Sequence, residues 1–385
     1  MSYSNKQKCI IQVLPALDSG GVERGTLETA EALVQEGWRS IVISAGGRLE
    51  QRLIRQGSFH IKLPVNTKNP FKWIKLNSEL KNIFLKEKPD IIHIRSRVPA
   101  WTAGKVAKKL NIPVVSTIHG RFVSNNFFKR LYNRPLLNAQ VVIAISNYVR
   151  TNILKSEPWS ENLIKVIHRG ADVETFNPKK ISENRIIQMA NKLQLPDDAQ
   201  IIMMPARPTK WKGHSVLIEA FGKIKNDKVF CVMPGASDKS SYAVYLKKIA
   251  KKHDVLGKIL FLPFLDDLPA AYMLADVVVI ASLKPEPFGR VAVEAQSMGR
   301  PVVAFDHGGV AESILNRETG FLIQPGDVKA LVTAILELLQ RPLSLREKMA
   351  KKARKHVVNN FSRGKMTKET IKLYDLTLDN FKNKA

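Results

Sequence analysis

Ile201-Ile-Met-Met-Pro-Ala-Arg-Pro-Thr-Lys-Trp-Lys-Gly-His-Ser-Val-Leu-Ile-Glu-Ala-Phe-Gly-Lys-Ile224 is the stretch that decides the fold. An apolar run over 201–204 reads as a strand. A short loop with Arg207 and Lys212 follows it, and then helical periodicity over 215–224. The order is strand, loop, helix, and the loop leaves the strand at its carboxyl end, where open parallel sheets present ligands. Two cations five residues apart in such a loop can flank a diphosphate. Taken singly, each reads equally well as a surface cation in a lysine-rich loop.

The same unit repeats outward in both directions. In the first half strands are predicted at 9–14, 40–44, 91–94, 114–118, 141–145 and 164–168, with helices at 22–36, 71–85, 100–110 and 127–137. The pattern pauses from 169 to 196, where Pro178 among lysines and polar residues reads as a strandless linker. It resumes with strands at 201–204, 229–233, 259–262, 277–280 and 302–305 and helices at 215–224, 242–252, 268–274, 291–298 and 328–339. Everything beyond Leu343 reads as helical. Alternating strands and helices build parallel sheets. Gly37 after the first helix and Ser146 before a later one are ordinary helix punctuation. Since 385 residues exceed one ordinary core, two doubly wound α/β domains are the simplest architecture.

Composition narrows the class. Hydrophobic residues at 44% and charged residues at 25% are those of a soluble globular chain. Cys9 and Cys231 both lie in apolar runs without metal-ligand spacing, which fits a reducing cytoplasm. No apolar run approaches the roughly 20 residues that span a bilayer. The first one, 9–17, leads into Asp18 and paired glycines without a small-residue cleavage site, and reads as a first strand. A formal charge of +27 implies attraction to polyanions, whether nucleic acid, an anionic membrane surface or phosphorylated substrates; a dispersed lysine bias gives the same number.

Several clusters carry chemistry. Lys284-Pro-Glu-Pro-Phe-Gly-Arg290 directly follows the strand at 277–280 and opens a helix bearing Glu294. The helix start offers free N–H groups to phosphate and hydroxyls. Glu286 and Glu294, eight positions apart, suit vicinal diols, because an ionised carboxylate accepts several hydrogen bonds. In the first half, Ser19-Gly-Gly-Val-Glu-Arg24 joins the first strand to the first helix. Gly20, Gly21 and Gly25 do not make the G-x-G-x-x-G spacing, and a tight turn alone explains them as well. His119-Gly120 ends the strand at 114–118, and a lone histidine there is often structural. The chain has no G-x-x-x-x-G-K-[ST] loop, no His-rich metal cluster and no Asp-x-Asp triplet. Neither a metal nor another cofactor is expected, and Lys, Arg and helix N-termini are left to neutralise a leaving diphosphate.

Together these positions resemble the family 4 glycosyltransferases of the GT-B fold. The likeness covers nearly the whole chain and is strongest from 201 to 312. It rests on Gly20-Gly21, on Arg207 and Lys212, on Glu286 and Glu294 within Glu-Pro-Phe-Gly-Arg-Val-Ala-Val-Glu, and on Pro301-Val-Val-Ala-Phe-Asp-His-Gly-Gly-Val-Ala-Glu312. It departs at Ala206, where a glycine is common, and at His307 before the glycine pair. The resemblance implies two Rossmann-like domains facing a central cleft. Residues 1–175 would bind acceptor, 176–362 would bind the nucleotide sugar, and 363–385 would form a helix packed back on the first domain. Arg207 and Lys212 would hold the donor diphosphate and Glu294 the ribose. Glu286, with Phe288, Gly289 and Arg290, would bind the donor sugar; Gly20 and Gly21 would lie near the distal phosphate, and His119 would meet a sugar hydroxyl. Of these, His119, Arg207, Lys212 and Glu286 would carry the catalysis.

The implied reaction is a retaining, metal-independent transfer of a hexose or N-acetylhexosamine, with a UDP-linked sugar as co-substrate. Its acceptor would be a glycan or a lipid-linked molecule in lipopolysaccharide or cell-envelope polysaccharide synthesis. The segment 62–90 carries seven lysines against three acids, with Phe71, Trp73, Leu76, Leu80, Ile83 and Phe84 at near-helical spacing. It reads either as a basic helix lying on an anionic membrane or as a core-facing helix with a lysine face. Phe127-Phe128-Lys129-Arg130 favours the membrane, so a cytoplasmic protein peripheral on the inner face of the cytoplasmic membrane is expected. Two rivals remain: a GT-B-like sugar-nucleotide epimerase, and a basic nucleic-acid-binding protein. No recognised nucleic-acid module is present, so no specific nucleic-acid partner is expected.

Overall fold

In the computed structural model, which describes residues 7–18, 20–122, 126–237 and 240–383, the chain divides into two units. Unit 1 comprises residues 1–169 and 364–385, and unit 2 comprises residues 170–363. The division falls at Arg169/Gly170 and Arg363/Gly364, whereas the sequence suggested 175/176 and 362/363. The reason is local. Ala171 N donates to Phe361 O (2.8 Å) and Arg363 N donates to Ala171 O (2.7 Å), which ties the segment after Arg169 to unit 2.

Unit 1 is built on seven strands: β1 (Cys9–Val13), β2 (Arg39–Ser44), β3 (Phe59–Lys62), β4 (Ile91–Ile94), β5 (Val114–Ile118), β6 (Val141–Ala144) and β7 (Ile164–Val166). They form one parallel sheet in the order β3-β2-β1-β4-β5-β6-β7. Unit 2 adds β8 (Gln200–Met203), β9 (Val229–Pro234), β10 (Ile259–Leu262), β11 (Val277–Ile280), β12 (Val302–Phe305) and β13 (Gly320–Ile323). These also run parallel, in the order β10-β9-β8-β11-β12-β13. Helices cover both faces of such sheets, so the inner strands are continuous apolar runs. In unit 2, one core lies under the helices Val328–Gln340 and His214–Phe221, and a second contains Tyr272 and Val302. In unit 1, the helix Arg363–Lys382 covers one face. Its Tyr374 is fully buried beside Ile10, Val115 and Ile143, and Lys8 pairs with its Asp375 at 2.5 Å.

Six elements depart from the sequence reading. The helix Glu50–Arg55 and the strand β3 were not foreseen; β3 is an edge strand with Phe59 exposed, so it lacks an apolar run. Strand β13, at the other sheet's edge, was likewise missed. The supposed linker holds the helix Glu183–Leu193, pinned by a two-point ion pair from Arg185 to Asp267 (2.7 and 2.9 Å). The helix expected over 100–110 is interrupted by a π-turn at Ala100–Gly104, and the one over 127–137 gives way to a 3-10 turn at Arg134, ahead of Pro135. Ser146 does cap its helix, its side chain accepting from Val149 N.

The helix Pro70–Glu87 splits the expected apolar stripe. Leu76, Leu80 and Phe84 are buried, whereas Ile83 is half-buried, Phe71 faces outward with Ile74, a residue outside that stripe, and Trp73 stacks on Trp101. Among the described residues, no helix is long and apolar enough to cross a membrane.

Candidate functional site

In an open parallel sheet, ligands bind where the strand order reverses, outside the carboxyl ends. In unit 2 that point lies between β8 and β11. The chain leaves β8 through Pro205 and Pro208, which cannot donate to a ladder, and turns through Lys210–Lys212 into Gly213. Gly213 has φ +81°, and a Cβ there would sit 1.7 Å from Ala281 O, so only glycine lets this loop press on the end of β11. Leu283 N donates to Trp211 O at 2.7 Å and fixes the contact.

This contact unites residues 74 positions apart. Lys212 Nζ lies 2.7 Å from Glu286 Oε1 and 4.4 Å above the Trp211 ring. Ser282 Oγ donates to the same carboxylate oxygen at 2.5 Å. Glu286 O accepts from Gly309 N (2.7 Å), and His307 Nε2 lies 2.6 Å from Ser282 O, so the glycine pair and His307 brace the carboxylate's loop. Gly289 sits at the N-cap of the helix Arg290–Ser297, beside the buried Phe288. On that helix Glu294 is buried, with Arg290 Nε 3.8 Å from its Oε1; Arg290 Nη2 reaches Gly170 O at 3.4 Å. Arg207 is exposed on the β8 loop, its carbonyl accepting from Thr209 N (2.9 Å). A cation paired to a buried carboxylate, beside a helix start and a second buried carboxylate, is equipped to bind an anion and hydroxyls together.

His119, Gly20 and Gly21 belong to unit 1. Gly20 and Gly21 open the helix Gly21–Gln35 after β1; Ser19 lies outside the described residues. His119 ends β5, and its Nδ1 lies 2.5 Å from Arg169 Nη2. Burial holds its pKa well below the ordinary imidazole value, reinforced by the charges of Arg169 and Arg95 and by His93. Sequence reasoning missed its neighbours. Arg95, just past β4, is buried and donates to Gln12 Oε1 (2.7 Å) and Thr29 Oγ1 (2.9 Å). Burial lowers its pKa, partly offset by Tyr374 and Glu28. His93, inside β4, bonds to Tyr374 Oη (2.5 Å) and Thr117 Oγ1 (2.7 Å), and burial followed by Arg95 and Arg169 pushes its pKa well down. The available signal was position, since Arg95 follows a strand end just as His119 does. Among the described residues, no three His, Cys, Asp or Glu side chains cluster as metal ligands would.

Residues 19–175 match the model described as Glycosyltransferase Family 4, and residues 186–356 match Glycosyl transferases group 1. A solved glycosyltransferase from Rickettsia africae is 35% identical, with a TM-score of 0.92 over 97% of this chain and 100% of that one. A glycosyltransferase of Methanocaldococcus jannaschii is 26% identical over 377 residues, which is 94% of this chain and 95% of the relative. Anabaena HepE, solved in complex with UDP-glucose, shares the fold at 21% identity, with a TM-score of 0.81 over 95% of this chain and 99% of that one. Two parallel-sheet units and this similarity over the full length make the chain a member of the GT-B glycosyltransferases, of the family 4 type.

Proposed function

We propose that the chain is a retaining, metal-independent glycosyltransferase that moves a hexose or N-acetylhexosamine from a UDP-sugar to a lipid-linked acceptor, such as a lipopolysaccharide precursor. The observation that carries this reading is the Lys212–Glu286 pair at the strand-order reversal of unit 2. Arg207 and Lys212 neutralise charge growing on the departing diphosphate, the role that preorganised cations fill in transfer reactions. Lys212 and Ser282 both bond to Glu286 Oε1, which leaves Oε2 for the sugar hydroxyls in this reading. Glu294 takes the ribose diol, and Phe288, Gly289 and Arg290 line the sugar. From unit 1, His119 supplies a hydrogen bond to a sugar hydroxyl, and Gly20 and Gly21 admit the distal phosphate. The UDP-glucose complex of HepE supports the choice of donor.

The purified protein is to be incubated with a panel of UDP-sugars in EDTA. The expected result is UDP release and a raised melting temperature with UDP, since a ligand that binds only the folded state stabilises it. A transferred sugar keeps the donor's anomeric configuration. Loss of turnover in EDTA with rescue by a divalent cation overturns metal independence, an inverted product overturns retention, and a new nucleotide sugar without acceptor supports the epimerase.

Membrane contact has its own support in unit 1. Phe71 and Ile74 are 85% and 77% exposed, and Phe127 and Phe128 73% and 78%. The Trp73–Trp101 stack lies in a groove of about 430 Å³ with Lys105 and Lys108, and Trp101 Nε1 donates to Tyr132 O in the helix of the phenylalanine pair. Exposed aromatics among lysines suit an anionic bilayer. Co-sedimentation with anionic vesicles is expected to fall with salt and to be lost in a Phe71→Ser/Phe127→Ser/Phe128→Ser variant. Equal binding to neutral vesicles refutes this recruitment.

A further inference from the structure

Arg169, just past β7 and 6% exposed, lies against the helix Gly21–Gln35 at Gly25. A Cβ on Gly25 would sit 2.0 Å from Arg169 Nη1, 2.5 Å from Cζ and 2.7 Å from Nη2. These are contacts that atoms do not make, so the helix presents bare backbone to a guanidinium that any side chain would expel. The same guanidinium reaches His119 Nδ1 at 2.5 Å. Arginine has donors only. Nδ1 must therefore accept through its lone pair, which leaves the single ring proton of a neutral imidazole on Nε2. That Nε2 is buried and has no hydrogen-bond partner among the described residues. An orphaned buried donor is costly and calls for an explanation, and a ligand that completes it is one.

The charged and titratable groups that act on this imidazole are Arg169 after β7, Arg95 after β4 and His93 in β4, while Glu28 and Tyr374, on the helices, act on Arg95. The two guanidiniums disfavour a further positive charge on the ring.

We propose that Gly25 and Arg169 form a positioning pair, in which the guanidinium seated on Gly25 holds His119 in its Nε2–H tautomer. His119 then acts as a fixed hydrogen-bond donor to an oxygen of the bound sugar and never as a proton carrier. The proposal rests on the reading above that His119 meets a sugar hydroxyl. Arg169 is a positioning residue in this scheme and touches no substrate.

Long-range ¹H–¹⁵N spectra of the full-length protein read the tautomer directly, with the His119 signals assigned by their loss in His119→Gln. The expected spectrum has a protonated Nε2 and a bare Nδ1, unchanged from pH 5.5 to 8. In Gly25→Ala and Arg169→Gln the two tautomers mix, the midpoint of the ring climbs into that range, and kcat falls about tenfold with donor KM little changed. Arg169→Lys, which keeps one donor, is expected to restore part of the wild-type spectrum, and it carries the test if Gly25→Ala does not fold. A protonated Nδ1, a His119 midpoint inside that range in the wild type, or an unchanged spectrum in Arg169→Gln overturns the pair. Full transfer by His119→Gln would instead refute the sugar contact itself, with the tautomer result standing apart.

Discussion

The two sheets carry the same strand order around their reversal points, β2-β1-β4-β5 and β9-β8-β11-β12, yet gather opposite chemistries there. In unit 2 a lysine meets a buried glutamate at 2.7 Å. In unit 1 two guanidiniums, Arg95 and Arg169, crowd two imidazoles, His93 and His119, among the neutral partners Gln12, Thr29, Thr117 and Tyr374. Topology supplies the position and the side chains supply the charge. An ion pair can exchange partners, so Lys212 can trade a carboxylate for a phosphate without leaving its loop. An imidazole buried beside guanidiniums cannot gain a proton cheaply, so its hydrogen-bonding role is fixed. On the proposed reading, unit 2 redistributes charge while unit 1 holds protonation constant.

The largest effect that can break this contrast lies in the cations of unit 2. Arg207→Ala and Lys212→Ala are each expected to lower turnover on the order of a hundredfold, about 3 kcal/mol of transition-state stabilisation. Arg207→Lys recovers only part, because lysine lacks the planar two-point grip, and Lys210→Ala stays near wild type. Donor hydrolysis measured on variants shown to be folded by circular dichroism decides it; near-normal rates in both alanine variants would remove unit 2 from the chemistry.

Glu286→Gln sharpens the same contrast from the other partner. It keeps the shape and the Ser282 hydrogen bond but deletes the charge facing Lys212. Hydrogen bonds to charged groups contribute about 1.5–3 kcal/mol, so kcat/KM for the donor should drop roughly tenfold to a hundredfold. A double-mutant cycle with Lys212→Met should show that the two losses do not add. Strict additivity would mean that the pair is not a working unit.

The smallest effect asks whether a silent imidazole is peculiar to unit 1. In unit 2, fully buried His214 has its pKa lowered to about 4, chiefly by burial. The unfolded chain, near 6.5, takes up the proton first as pH falls. This contribution to stability is therefore complete above pH 6.5 and is lost progressively towards pH 4. The loss between pH 7 and pH 5 is about 2 kcal/mol. Urea midpoints at the two pH values check this against His214→Gln, which should be less acid-sensitive and retain the share from the other histidines with lowered pKa, His93, His119 and His356. Identical pH dependence in both proteins would refute the assignment.

Which features the sequence disclosed follows from burial. Inner strands such as β4, β5 and β11 are covered on both faces and announce themselves as unbroken apolar runs. The edge strand β3 buries little and reads as ordinary polar sequence, and the helix Glu183–Leu193 buries only Met189 and Leu193, too few to mark a period beside Pro178. Lys212 and Glu286 stood out because each follows a strand end in company, Lys212 with Arg207 and Glu286 with Glu294. Arg169 did not, because a buried arginine looks like any surface cation until the fold shows what it lies against, and Gly25 looked like a spare glycine for the same reason.

The backbone bonds joining Ala171 to Phe361 and Arg363 bring the two ends of unit 2 side by side. Unit 2 is therefore one uninterrupted stretch of chain inserted into unit 1, and the order of synthesis matters. A ribosome delivers all seven strands of the first sheet, then the whole of the second unit, and only afterwards the helix whose Tyr374 closes over His93. Domains generally fold as units in the order they emerge. The nascent first sheet must wait through roughly two hundred residues with part of one apolar face uncovered, and the unit made second can be the first one finished.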